Sequence, residues 1–158
     1  MSGGLSKGGA DFTRQALIAN HGILSVNSVL MRPGKPAAIG RIAEALFIGL
    51  PGNPMAAAVV LNQIGLPALR ARAGMHSWRA VGQQAEASFA LTKPLGRTEF
   101  FPVKSVGENH IGLPIVANLG RGSSGSLLPM AHADGIAVLA EKTTLVQKGD
   151  LVRFYPLV

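Results

Sequence analysis

The chain has 158 residues, enough for one ordinary domain or two small ones. Its 15 Lys plus Arg against 8 Asp plus Glu give a formal charge of +7. Only 15% of residues are charged while 47% are apolar, which excludes a disordered polar tail.

In chain order, Ser2 to Gly9 is a glycine-rich loop. Asp11 reads as an N-cap, and Phe12, Ala16 and Leu17 begin an apolar face that Gly22 would stop. This predicts a short helix over Phe12 to His21. Ile23 to Met31, I-L-S-V-N-S-V-L-M, reads as a strand. Arg32 to Pro36 is a turn, and the apolar run Ala45 to Leu50 reads as a buried strand. After the turn P-G-N-P, Asn53 as N-cap and Pro54 as first helical residue open a helix to about Ala73, which Pro67 should kink or split. Two strands and two helices make part of an α/β layer and leave open sheet edges.

From about Trp78 the pattern changes to short strands between Gly, Pro and Asn turns. These are A-S-F-A-L-T-K-P-L, F-F-P-V-K-S-V, G-I-A-V-L and D-L-V-R-F-Y-P-L. Ser126 to Ala133 reads as one short helix. Val152 and Phe154 share a strand face, with a turn at Lys148-Gly149-Asp150 before them. The expected fold class is therefore α/β plus β, with an incomplete α/β domain over residues 1–75 and a small β-barrel domain over residues 76–158.

The absence of cysteine rules out disulfides, iron–sulfur clusters, thiolate zinc sites and a cysteine nucleophile. His21, His76, His110 and His132 have no metal-ligand spacing. The N-terminal residues have no signal-peptide apolar region. The most apolar stretch, Ala45 to Leu61, is broken by P-G-N-P, so a soluble, cytoplasmic protein without a membrane partner is expected. The basic residues are scattered and lack interleaved aromatics, which favours local anion sites over a nucleic-acid partner.

Three turns concentrate the chemistry. Ser2 to Asp11, S-G-G-L-S-K-G-G-A-D, offers backbone N–H groups that an anion can approach closely, yet matches neither a Walker loop nor a dinucleotide fingerprint. M-R-P-G-K-P holds Arg32 and Lys35 on a proline-stiffened turn, a pair of cations suited to phosphate or another oxyanion. G-L-P-G-N-P lies between a strand and a helix start, where α/β sheets bind ligands. Together they could converge on one anionic ligand.

This succession, S-G-G-x-S-x-G-x-A-D-F, then M-R-P-G-K-P, then G-L-P-G-N-P-M-A-A-A, resembles the molybdopterin molybdotransferases, the MoeA and gephyrin-type proteins. The second half agrees through L-G-R-T-E-F-F-P-V, G-S-S-G-S-L-L-P-M-A-H-A-D-G-I-A-V-L and K-G-D-L-V-R-F-Y-P-L. The resemblance covers nearly the whole chain. It implies the C-terminal part of a three-layer α/β/α molybdopterin-binding domain, followed by that family's C-terminal β domain.

The implied activity is insertion of molybdate into the dithiolene of adenylylated molybdopterin with release of AMP, by a homodimer using Mg2+. The implied catalytic residues are Asp11, Arg32 and Lys35, with Asp11 also toward the metal. The implied substrate-binding residues are Ser2, Gly3, Gly4, Ser6, Pro51, Gly52, Asn53 and Pro54, together with Ser124 and Ser126 of the Gly122 to Ser126 loop. Gly9, Lys7 and Ser28 depart from residues common in the family, and its other acidic and Thr site residues lie upstream of the matched motifs. The isolated chain is therefore expected to be inactive. The alternative is a ligand-binding, scaffold or dimerisation module derived from the same family.

Overall fold

A computed structural model describes residues 1–5, 12–120 and 127–157. The chain divides into two compact units, Met1–Arg79 and Ala80–Val158.

The first unit begins with Met1–Gly3 lying parallel to the segment around Leu50. The Leu50 N–H donates to the Met1 carbonyl at 2.8 Å, and the Gly3 N–H donates to the Leu50 carbonyl at 3.0 Å. Helix α1 spans Phe12–Ala19. Its end differs in detail from the expectation. His21, not Gly22, takes the left-handed conformation, with φ 59°. The Gly22 N–H donates to the Leu17 carbonyl (2.8 Å) and the His21 N–H to that of Ile18 (3.0 Å), a Schellman closure. Gly22 is required for a different reason: a Cβ there would lie 2.5 Å from the Leu17 side chain and 2.8 Å from its carbonyl.

The strand expected over Ile23 to Met31 is cut short. Strand β1 is Ile23–Val26, and Met31–Arg32 forms a separate short strand, β2. Between them the chain folds onto the next turn, with the Val29 N–H donating to the Lys35 carbonyl at 3.1 Å.

Two strands follow. Strand β3, Ala38–Ile42, was not anticipated; β4, Ala45–Gly49, was. They form an antiparallel hairpin through Ala43 and Glu44, in the sheet order β1-β3-β4. The expectation that Ala45 to Leu50 is a buried strand is corrected here. Ala45 and Leu46 are exposed, Phe47, Ile48 and Leu50 are half-buried, and only Gly49 is buried. A-I-G-R-I gives a weak strand signal because glycine sits in its middle. Yet that glycine makes the pairing possible: a Cβ on Gly40 would lie 2.2 Å from the Ile23 carbonyl oxygen of β1.

Helix α2 spans Pro54–Val60 and passes into a π-helical turn, Leu61–Gly65, then α3, Leu66–Arg72. The break expected at Pro67 takes the form of that π-helical turn, after which Pro67 stands in the first turn of α3. It has no N–H to give, and the ladder widens just before it, the Leu66 N–H reaching the Leu61 carbonyl. The buried apolar residues of this unit are Leu5, Leu17, Met31, Ala37, Ala38, Met55, Ala56, Val59 and Val60.

The second unit is a closed five-stranded barrel. Its strands are β5 (Gln83–Ala87), β7 (Thr98–Glu108), β8 (Pro114–Asn118), β9 (Gly135–Leu139) and β11 (Leu151–Pro156). Around the barrel the order is β7-β8-β5-β11-β9, and β9 closes onto β7. All pairs are antiparallel except β5 with β8. The run A-S-F-A-L-T-K-P-L supplies the last residue of β5 and then β6, Leu91–Thr92, which pairs with β10, Leu145–Val146. Ser88 leaves the barrel ladder there: its N–H and its hydroxyl both donate to the Val116 carbonyl at 3.0 Å. Helix α4 is Leu128–Ala131, shorter than expected.

The barrel interior alternates small and large residues. Ala85, Ala87 and Ala137 lie among Phe101, Val103, Val116, Val152 and Phe154, so side chains fill it. Phe89 meets Phe101 edge-on, with ring centroids 5.5 Å apart. Val152 and Phe154 are buried between exposed Leu151 and Arg153, the alternation the sequence predicts.

Lys93 is buried at 2% exposure, and its ammonium donates to three carbonyls, those of Arg97 (2.8 Å), Glu141 (3.2 Å) and Pro94 (3.3 Å). It ties the loop after β6 to the loop after β9.

Candidate ligand site

The glycine-rich start and the P-G-N-P turn meet in the first unit. Parallel pairing of Met1–Gly3 with Leu50 brings the two loops side by side. The Ser2 hydroxyl donates to the Pro51 carbonyl at 3.2 Å. Gly3 and Gly52 face each other without side chains between them. A Cβ on Gly52 would lie 3.5 Å from the Gly3 Cα, and one on Gly3 would lie 4.0 Å from the Gly52 Cα. Gly52 is exposed and Gly3 half-exposed, so backbone is open to a ligand at that point.

Asn53 and Pro54 behave as the sequence predicts. The Asn53 Oδ1 accepts from the Ala56 N–H at 2.8 Å, and Pro54 stands in the first turn of α2. Pro51 is buried beneath the turn.

The cationic turn is anchored on the same helix. Gly34, at φ 120°, is buried, and a Cβ there would lie 2.7 Å from Val60 Cγ2 and 3.0 Å from Met31 Sδ. The turn therefore docks against α2 about 9 Å along its axis from Pro54, taking about 1.5 Å per residue. The Ala37 N–H closes it onto the Gly34 carbonyl at 2.9 Å. Arg32 and Lys35 are both exposed on it. Two exposed cations on one turn suit an anion.

The structure thus gathers Ser2, Gly3, Pro51, Gly52 and Asn53 at one place, and mounts Arg32 and Lys35 on the helix that begins there. Ser6, Asp11, Ser124 and Ser126 lie outside the described residues. One residue that sequence reasoning passed over is Thr13, in the first turn of α1. Its hydroxyl lies against Gly4, where a Cβ would be 2.2 Å from Thr13 Oγ1. Nothing in the sequence pattern marks a threonine nine residues beyond the glycine pair as its neighbour. Among the described residues no group of three or more His, Cys, Asp or Glu is assembled.

Comparison with known proteins bears on the family. Residues 1–71 match the family described as a probable molybdopterin binding domain, and residues 84–157 match the MoeA C-terminal region, domain IV. A molybdopterin molybdenumtransferase of Haemophilus influenzae is 38% identical over 100 residues, covering 63% of this chain and 24% of the relative. Molybdopterin molybdenumtransferase 2 of Mycobacterium tuberculosis is 28% identical over 162 residues, covering 99% of this chain and 39% of the relative. Among solved structures, a molybdopterin biosynthesis MoeA protein from Pyrococcus horikosii aligns over 94% of this chain and 35% of its own, with a TM-score of 0.76 and 26% identity. The chain spans roughly a quarter to two-fifths of the length of these curated relatives. Through the match of residues 1–71 to the probable molybdopterin binding domain and of its barrel to domain IV, the chain belongs to the MoeA family.

Proposed function

We propose that this chain carries the ligand-cradling part of a molybdopterin molybdotransferase. The overall reaction joins molybdate to the dithiolene of adenylylated molybdopterin, with AMP as the leaving group. The observation that carries the reading is the approach of Gly3 to Gly52, beside a capped helix start and on the helix that also carries the Arg32–Lys35 turn.

Each part of this arrangement has a task in that chemistry. Bare backbone at Gly3 and Gly52 lets a phosphorylated ligand reach amide groups that a side chain would cover. Arg32 and Lys35 neutralise phosphate and oxyanion charge, Arg32 with a planar fork and Lys35 as a point charge. Ser2, bonded to the Pro51 carbonyl, fixes one loop on the other and so keeps the cradle from opening. Catalysis by such groups is positioning and electrostatic stabilisation. Asp11, Ser6, Ser124 and Ser126 are proposed additional contacts, Asp11 toward Mg2+ when that ion is bound. The working form is proposed to be a cytoplasmic homodimer.

The test is an anaerobic incubation of the 158-residue chain with adenylylated molybdopterin, molybdate and Mg2+. The expected result is binding of the ligand without molybdate-dependent AMP release. Failure to bind would overturn the ligand assignment. Robust AMP release would overturn the expectation that residues beyond this chain are needed for turnover.

A further inference from the structure

The Thr13–Gly4 contact deepens the reading above and rests on it for the ligand. Gly3 and Gly4 adopt φ values of 83° and 70°, so both lie in the left-handed region. For Gly4 the backbone angle is only half the requirement. A Cβ there would lie 2.2 Å from Thr13 Oγ1, 3.1 Å from Thr13 Cβ and 3.7 Å from Thr13 N. The Thr13 hydroxyl therefore fills the space a side chain at Gly4 would need. On the other side of the same short loop, Gly3 faces Gly52. Thr13 thus occupies the Cβ space of Gly4, and the next residue, Gly3, adjoins Gly52 at the P-G-N-P turn.

We propose that Thr13 is a positioning residue: its hydroxyl sets how closely the Gly3–Gly4 backbone approaches Gly52, and so the width of the molybdopterin cradle. The chemistry favours an oxygen at this point. A hydroxyl oxygen is smaller than a methyl group, and a Thr-to-Val exchange is not volume-neutral in a close contact. Valine would place a methyl against the Gly4 backbone and displace the loop. Serine would keep the oxygen and remove only the methyl.

Thr13→Val and Thr13→Ser, each in the whole 158-residue chain, test this with two readouts. Without ligand, the Gly3 and Gly4 amide resonances report the loop. With molybdopterin as the probe, titration reports the cradle. T13V is expected to move both resonances and weaken molybdopterin binding about tenfold. Its melting temperature should stay within about 2 °C of the parent, as for a mild local change. T13S is expected to restore resonances and affinity together. Unmoved Gly3 and Gly4 resonances in T13V, or a T13S chain as impaired as T13V, would overturn the proposal. If the parent chain binds no molybdopterin, the functional reading fails, and the ligand-free resonances alone decide the role of Thr13.

Discussion

Replacing Gly52 by alanine separates a binding role from a folding role. The added Cβ would meet only the Gly3 Cα, at 3.5 Å, which is ordinary van der Waals contact. Gly52 is not among the glycines with positive φ, so alanine meets no backbone strain there. The stability of the first unit should therefore change by no more than about 0.5 kcal/mol. The neighbouring substitution, Asn53→Ala, supplies the contrast. It removes the 2.8 Å bond from the Ala56 N–H that caps α2, and should cost about 1 kcal/mol.

Binding should order the two variants the other way. A methyl at residue 52 stands in the open backbone approach that the ligand needs. Molybdopterin affinity in G52A should fall at least about tenfold, or about 1.4 kcal/mol. Urea unfolding followed by Trp78 fluorescence reports the first unit, to which Trp78 belongs. Anaerobic titration calorimetry reports the ligand. A G52A chain with parental affinity would refute the claim that ligand approaches this backbone. A G52A chain destabilised by more than about 2 kcal/mol would show that glycine is there for folding.

Two further outcomes follow from other parts of the chain. Lys93→Met would leave three carbonyls, of Pro94, Arg97 and Glu141, without their ammonium donor, and should destabilise the barrel by about 3 kcal/mol. Hydrogen exchange over β5 and β9 would read this as faster exchange of the barrel amides in K93M, and a change below about 1 kcal/mol would contradict the buried-cation account. Gly40→Ala would drive a Cβ to 2.2 Å from the Ile23 carbonyl oxygen and should separate β1 from β3. Loss of protection at Ile39 and Arg41 would be the sign, and a parental exchange pattern would refute it.

Much of the candidate site is legible in the sequence because its parts are local. Asn53 followed by Pro54 specifies a helix start through one side-chain acceptor and one missing N–H, and the structure shows both in use. Val152 and Phe154 announce a barrel face by simple alternation. What was not legible depends on partners distant in sequence. β3 is short and interrupted by Gly40, and its identity as a strand follows from the close approach of β1. β5, Q-Q-A-E-A, is too polar to signal a strand, yet Ala85 and Ala87 are fully buried in the barrel. Ala45 to Leu50 reads as apolar and therefore as buried, whereas its first residues are exposed in an antiparallel hairpin. The ladder widening at Leu61–Gly65 accommodates Pro67, which by propensity alone breaks a helix. Nothing in the sequence marks Lys93 as buried; its burial follows from three carbonyls that only the folded chain assembles.

The most direct test of the account is molybdopterin binding by the chain and by its Arg32→Ala, Lys35→Ala double variant, titrated anaerobically at low and moderate salt. The account predicts saturable binding by the parent that weakens with salt, and a double variant with lower affinity and a shallower salt dependence. Equal affinity and equal salt dependence in the two chains would contradict it.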